Sequence, residues 1–339
     1  MSCAAIGQIH RSVDAFPRLM PDVDRCESFD AGPVTDRAVE VRGLHKRYGE
    51  RVAVAQVDFT VETGEIFGIL GPNGAGKTTT VESIAGLRVG DRGSIRVHGL
   101  DPWAQRDDVT RILGIQLQES RLQAKIKVRE ALELWSALYD DPVPWADLAD
   151  RLGLGPHLDQ RFVKLSGGQQ QRLSIALALV GRPRVVILDE LSTGLDPRAR
   201  REVWDLVRDV RKAGATVLLV THAMEEAQQL CDRIGIVDRG RISALDTPEG
   251  LIRAVAAATT TSFTPSAPID LQALREIPGI ASVRSGGGRV EVEGVEDSAV
   301  SLLAALALQQ VVPHGLRVSS ASLDSAYLNL TEPSSEEFE

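Results

Sequence analysis

Cysteine is scarce in this chain of 339 residues. The three thiols, Cys3, Cys26 and Cys231, are too few and too scattered for a disulfide framework or a cysteine-built zinc site, which points to a reducing compartment. Long apolar runs are missing too. The best candidates, "VVIL" and "TVLLV", are strand-sized and fall far short of the ~20 residues that cross a bilayer. Any membrane work therefore needs a partner chain. The start, "MSCAAIGQIHRSVDAF", lacks a basic stretch followed by an apolar core, so it does not read as a secretory signal. Positive charge is in deficit, and a formal net charge of −9 argues against a broad nucleic-acid footprint.

What is present suits a soluble globular protein with a large core: 43% hydrophobic and 25% charged residues, in a chain long enough for a main domain and a smaller one. Residues 1–37 show no sustained periodicity and end in "FDAGPVTD", a flexible leader by expectation. From Ala38 onward "AVEVRGLHKRY", "VAVAQVDFTV" and "EIFGIL" read as strands, and "TTTVESIAGL" as a helix. Helix-like spacing follows in "VREALELWSALY" and "WADLADRLGL", broken by "DDPVP". Then strand and helix alternate: "RVVILDE", "RARREVWDLVRDVRKAG", "ATVLLVTH", "MEEAQQLCDRI". That alternation predicts an α/β fold with a mainly parallel sheet covered on both faces. Over residues 258–330 the order becomes βαββαβ, with a hairpin across Gly286 to Gly288, which predicts a small α+β accessory domain of ferredoxin-like topology. Residues 331–339 form an acidic tail, disordered by expectation.

The chemistry concentrates in a few short motifs. "GPNGAGKT", Gly71 to Thr78, matches the phosphate-binding loop in full, after a strand and before a helix. Its glycines let the backbone wrap phosphates, Lys77 supplies point charge, and the Thr78 hydroxyl suits Mg²⁺. "VVILDE" puts Asp189 and Glu190 at the end of a buried strand, where open parallel sheets bind ligands. Taken alone, such a pair is commonly just a loop start; beside a phosphate loop, Asp189 can steady Mg²⁺ and Glu190 can polarise an attacking water. His222 follows "TVLLVT", on the same sheet edge, which favours γ-phosphate contact over the default of a structural histidine. Gln116 and Gln118 end "RILGIQLQ" on one strand face, and the sequence alone does not choose between them. Tyr48 in "HKRYG" suits packing or adenine stacking. A second glycine turn opens a helix at "KLSGGQQQR", and its exposed N–H groups also suit an anion.

These motifs, in this order, resemble the ATP-binding subunits of ABC transporters. A phosphate loop alone marks an NTPase; "LSGGQ" placed between it and "VVILDE" is specific to the ABC class. The resemblance spans residues 38–250 and implies an ABC-type P-loop ATPase with a helical subdomain inserted at about 119–170. It implies that ATP and Mg²⁺ are the cofactors. Nucleotide contacts then fall to Tyr48, to Gly71, Pro72, Asn73, Gly74, Ala75, Gly76, Lys77, Thr78 and Thr79, to the signature residues Ser166, Gly167, Gly168 and Gln169, and to Asp196 of the "STGLD" loop. The metal would meet Thr78, Gln118 and Asp189, and catalysis would fall to Glu190, His222 and Gln118. Gln118 is preferred because the family's glutamine lies four residues after a glycine, here Gly114. Two copies are expected to pair head to tail, each signature capping the ATP on the other chain's loop, which gives the second anion cradle a use. "DELSTGLDP", "QLQES" and "SLDSAYLNLT" resemble the daunorubicin-resistance type, which implies a cytoplasmic subunit held at the inner membrane face by a separate ABC-2 permease that exports drugs, antibiotics or lipids. Nucleic acid is not an expected partner. The rival readings are a soluble ABC ATPase acting on nucleic acid or on the ribosome, and a binding module without catalysis. Against them stand the lack of heptads, the single copy of each motif, and intact Lys77, Asp189, Glu190 and His222.

Overall fold

The structure, a computed structural model, describes residues 37–116, 122–255, 259–295, 298–319, 322–324 and 326–327. The chain divides into two compact units, 1–242 and 243–339. The sequence texture changes later, near Gly250, because proline and glycine punctuation marks the turn chemistry rather than where contacts thin out.

In the first unit the described residues form a nine-stranded sheet. Its parallel part is built from β3 (Ile66–Leu70), β5 (Leu113–Gln116), β6 (Val185–Asp189), β7 (Thr216–Thr221) and β8 (Arg233–Asp238), in the order β8-β3-β7-β6-β5. Every residue of β3, β6 and β7 is buried, as expected for interior strands with helices on both faces. The mainly parallel sheet is as expected, and the structure adds an antiparallel part to it. β1 (Arg37–Tyr48), β2 (Arg51–Glu62) and β4 (Arg92–Val97) form an antiparallel extension. Gly49 at φ 58 lets β1 turn directly into β2, and a two-residue connection permits only antiparallel pairing. β9 (Arg241–Asp246) begins beside β2, where Arg241 pairs with Gln56.

Four helices flank the site: α1 (Lys77–Ile84), α5 (Gly167–Leu179), α6 (Pro197–Lys212) and α7 (Met224–Leu230); α2 (Arg106–Ile112) lies between β4 and β5. α6 buries Val203, Trp204, Val207 and Val210 on one stripe and gives its charged residues to solvent. The expected helix "MEEAQQLCDRI" ends early, at Leu230. Cys231 is extended, and the Asp232 carboxylate accepts from the Ile66 N–H at 2.8 Å. The rest of that segment enters β8 beside β3. α3 (Val128–Ser136) and α4 (Trp145–Arg151) pack on the first half of α5 around Leu132, Leu152, Leu154 and Leu173, a separate helical core.

The second unit contains α8 (Pro248–Val255), then β10 (Thr259–Pro265), α9 (Leu271–Arg275), β11 (Ile280–Gly286), β12 (Arg289–Gly294), α10 (Ser298–Leu308) and β13 (Pro313–Ser319). The strands form an antiparallel sheet in the order β11-β12-β10-β13. This is the expected βαββαβ arrangement, closed over Phe263, Leu274, Val292 and Leu302. Apart from Arg37, the leader lies outside the described residues, as does the acidic tail.

Candidate functional site

Strand register sets the site. Leu70 pairs with Thr221, and Asp189 with Val220, so Gly71, Glu190 and His222 all leave the sheet at one edge. That is the carboxyl edge at which open α/β sheets bind ligands.

The phosphate loop turns from β3 into α1. Gly76, the helix cap, sits at φ 106, and a Cβ there would lie 2.4 Å from the Ala53 carbonyl oxygen. At Gly71 a Cβ would lie 2.2 Å from the Val237 carbonyl oxygen. Neither position has room for a side chain, so the loop's backbone can lie against its neighbours and leave its outer face, Pro72 to Gly74, exposed. Lys77 is buried, and its Nζ donates to the carbonyls of Gly71 at 2.7 Å and Pro72 at 3.0 Å. Burial draws its ammonium pKa down, and the carboxylates of Glu190 and Asp189 oppose that shift. Ala75 is buried in the loop, Thr78 is exposed at the first turn of α1 and Thr79 is half-buried.

Asp189 is buried at the end of β6. The backbone of Glu190 is left-handed, at φ 52, an uncommon conformation for a non-glycine residue and a strained one. Its N–H still donates to the Val220 carbonyl at 2.8 Å, and its Oε1 lies 3.1 Å from Nδ1 of His222. Gln116, from β5, donates through Nε2 to the Asp189 carbonyl at 3.2 Å and accepts from Gln171 of α5 at 3.2 Å. Gln118 lies outside the described residues.

At the start of α5, Ser166 and Gln169 form a reciprocal cap: Ser166 N–H donates to Gln169 Oε1 at 2.8 Å, and Gln169 N–H to Ser166 Oγ at 3.3 Å. Ser166 and Gly167 are exposed. The Cβ of Ala199 in α6 lies 3.3 Å from where a Cβ on Gly168 would sit. A cleft of about 620 Å³ opens between α5 and the end of β6, lined by Gly167, Gln171, Gln116, Asp189, Glu190 and Leu195 among others, and by no residue of 71–79. Asp196 caps α6, accepting from the N–H groups of Arg198 and Ala199. The Ala199 bond, first among several, holds its carboxyl below the usual range. Tyr48 is an exposed ring at the β1–β2 turn, with the Lys46 and Arg88 cations each 5.6 Å from its centroid.

The expected residues 71–79, Asp189, Glu190 and His222 thus share one edge, while of Ser166 to Gln169 only Gly167 lines the different cleft beside the same carboxylates. Three participants carried no sequence signal. Arg51 reaches Gly74 from β2, Gln171 ties α5 to β5, and His157 holds Gln169 at 2.9 Å. Each meets its partner through the fold, at a spacing no local pattern records.

A phosphate loop with a buried lysine, facing adjacent carboxylates at the edge of a parallel sheet, defines a P-loop nucleotide-binding protein. The chain belongs to the family of ABC transporter ATP-binding proteins. The family described as ABC transporter matches residues 54–193. Daunorubicin/doxorubicin resistance ATP-binding protein DrrA of Streptomyces peucetius is 41% identical over 218 residues, 62% of this chain and 66% of that protein. Nod factor export ATP-binding protein I of Sinorhizobium fredii is 39% identical over 226 residues, 64% of this chain and 65% of that protein. The chain therefore spans a little under two thirds of these two relatives. Linearmycin resistance ATP-binding protein LnrL of Bacillus subtilis is 31% identical over 86% of this chain and 98% of its own length. Among solved structures, an ATP-binding subunit of an ABC transporter is 28% identical with a TM-score of 0.59, covering 64% of this chain and 92% of that one. A dimeric, post-hydrolysis ATP-binding cassette, MJ0796 with ADP and Pi, is 25% identical with a TM-score of 0.56, covering 62% and 98%.

Proposed function

We propose that this chain binds Mg-ATP and hydrolyses it to drive a separately encoded ABC-2-type membrane exporter. The carrying observation is the Glu190–His222 pair, 3.1 Å apart, at the sheet edge that also presents the loop of Lys77. In this reading the loop N–H groups and Lys77 hold the phosphates, and Tyr48 stacks on the base. Glu190 takes a proton from the attacking water, and His222 orients Glu190 and meets the γ-phosphate. The hydroxyl of Thr78 and the carboxylate of Asp189 are hard oxygen donors, which fit Mg²⁺ held jointly with nucleotide phosphates rather than in an all-protein cage. Consistent with that, the described residues hold no cluster of three or more His, Cys, Asp or Glu able to bind a metal alone. When bound, the ion neutralises phosphate charge and orients the transferring group. The chain's own contribution is positioning and electrostatic stabilisation.

Two chains pair in this reading, with Ser166, Gly167 and Gly168 of one closing on the nucleotide of the other, and Asp196 lying near the shared boundary. No described helix is long and apolar enough to cross a membrane, which supports attachment at the inner membrane face through a permease. Antibiotic resistance in the names of two relatives supports an antibiotic-like cargo. The test is to purify the full chain together with its genomically adjacent multi-span protein and measure ATP turnover. The expected result is a stable complex whose turnover responds to cargo. A chain that never associates with a multi-span protein, and turns over ATP in response to nucleic acid or ribosomes instead, counts against the proposal.

A further inference from the structure

His157 lies in the loop after α4, twelve positions before Gln169, and both of its ring nitrogens are engaged. Four hydrogen bonds run head to tail through it: Ser166 N–H to Gln169 Oε1 at 2.8 Å, Gln169 Nε2 to His157 Nε2 at 2.9 Å, His157 Nδ1 to Gln160 Oε1 at 3.0 Å, and Gln160 Nε2 to the Lys164 carbonyl at 3.1 Å. The direction is dictated at both ends. A backbone N–H only donates and a backbone carbonyl only accepts, so each amide can be oriented in one way. In between, the ring must accept at Nε2 and donate at Nδ1. Only the neutral imidazole protonated at Nδ1 does that.

We infer that His157, in its neutral form, is a positioning residue for the "LSGGQ" turn, and that its protonation weakens the Ser166–Gln169 cap. A protonated ring donates from both nitrogens. The Gln169 amide must then face an N–H with its NH₂, or flip and turn that NH₂ against the Ser166 N–H. In the first case two donors meet and push the Gln169 side chain away from the ring; in the second the Ser166 N–H loses its acceptor. Both weaken the Ser166 N–H to Gln169 Oε1 half of the cap, whereas the Gln169 N–H to Ser166 Oγ half does not run through the amide. The charged groups on surrounding elements are Asp150 and Arg151 at the end of α4, and Lys164 and Asp159 in its own loop. Arg129 of α3 pairs with Asp159, and Arg172 of α5 pairs with Glu202. The ring nitrogens face the two amides instead.

The functional consequence rests on the signature role proposed above, so the test separates the two. The ¹⁵N-labelled full chain is acidified until the imidazole signals of His157 mark its protonation, and the Ser166 amide resonance is followed alongside. Wild type should show the Ser166 amide moving with the same midpoint as the ring. In His157→Gln, which supplies an acceptor and a donor but no titrating proton, that amide should stay in place. A Ser166 amide that ignores ring protonation, or moves equally in His157→Gln, overturns the inference, and the wild-type titration decides even if the variant folds poorly. ATP turnover is then compared over the same range. About a five-fold fall is expected in wild type relative to His157→Gln, the size of effect that goes with losing one helix cap. A cap that weakens with acid while the two turnover profiles coincide upholds the inference and counts against the role given to the signature.

Discussion

Glu190 carries the heaviest chemical load of any single side chain in the proposed reaction. Glu190→Gln preserves size and leaves the phosphate loop and Asp189 untouched, but removes the basic oxygen. Turnover of the complex should fall about 100-fold or more, with ATP binding retained in an equilibrium nucleotide-binding assay. Near-normal turnover would take the base role away from Glu190. His98 poses a different residue-level question. Its Nε2 is buried without a hydrogen-bond partner among the described residues. Burial, and then the Arg184 charge, lower its pKa from 6.5 to about 4. The fold therefore favours the neutral ring, and the unfolded chain binds the extra proton first. Stability from this group is complete above pH 6.5 and is lost as pH falls towards 4. A shift of that size corresponds to at most about 3 kcal/mol, and less for a ring that is partly exposed. His98→Asn, which tolerates the left-handed φ of 45 at this position, should flatten the pH dependence of the urea midpoint across that window. An unchanged slope would mean other groups set it.

At the scale of elements, α6 and α7 are joined by more than apolar contact. The indole Nε1 of Trp204 donates to Oε1 of Glu226 at 3.3 Å, both residues being buried, and the other carboxylate oxygen is buried without a partner among the described residues. Arg200 adds an exposed ion pair to Glu225 at 3.1 Å, which contributes little by comparison. Since Asp196 caps α6 and α7 starts two residues after His222, the indole bond ties the helices that adjoin two parts of the site. Trp204→Phe keeps an aromatic core but strips the carboxylate of that donor. A loss of about 1–3 kcal/mol in urea unfolding is expected. A midpoint equal to wild type would show that the bond adds nothing to the packing of Val203, Val207 and Val210.

At the scale of the whole molecule, two glycine cradles have to serve the same kind of ligand. Within one chain the cleft beside Gly167 is lined by Asp189 and Glu190 but by no residue of 71–79, which suits a signature whose nucleotide sits on another copy. Lys77→Ala in one chain and Gly168→Asp in the other each spoil both sites of a homodimer. The aspartate puts bulk and negative charge where a phosphate should dock. In a mixed dimer with sharing, one site collects both defects and the other is wild type. Nucleotide occlusion should therefore return to about half that of wild type, as expected for one intact site of two. Confirmed mixed dimers that occlude no nucleotide would rule out sharing.

Much of this was legible in the chain, and the boundary between legible and hidden follows interaction range. Gly71 to Thr78 must be glycine-rich and carry a lysine at its helix end because backbone and ammonium meet phosphate within one turn, so the whole device fits in eight consecutive letters. Buried strands such as "VVILD" and the stripe of α6 are equally local, since solvent sorts side chains by the periodicity of the element itself. Even the βαββαβ order of the second unit could be read, its strands being short and its turns marked by glycine. Long-range pairing was not readable. The pairing of β1 with β4, the early end of α7 at Leu230 and the setting of Glu190 depend on groups far apart in sequence, and the relay through His157 runs along a loop with no periodicity to mark it. Adjacent letters carry no record of a partner that arrives only when the sheet closes; strand register and helix packing choose it, because each buried donor and acceptor must be satisfied by whatever the fold brings within about 3 Å.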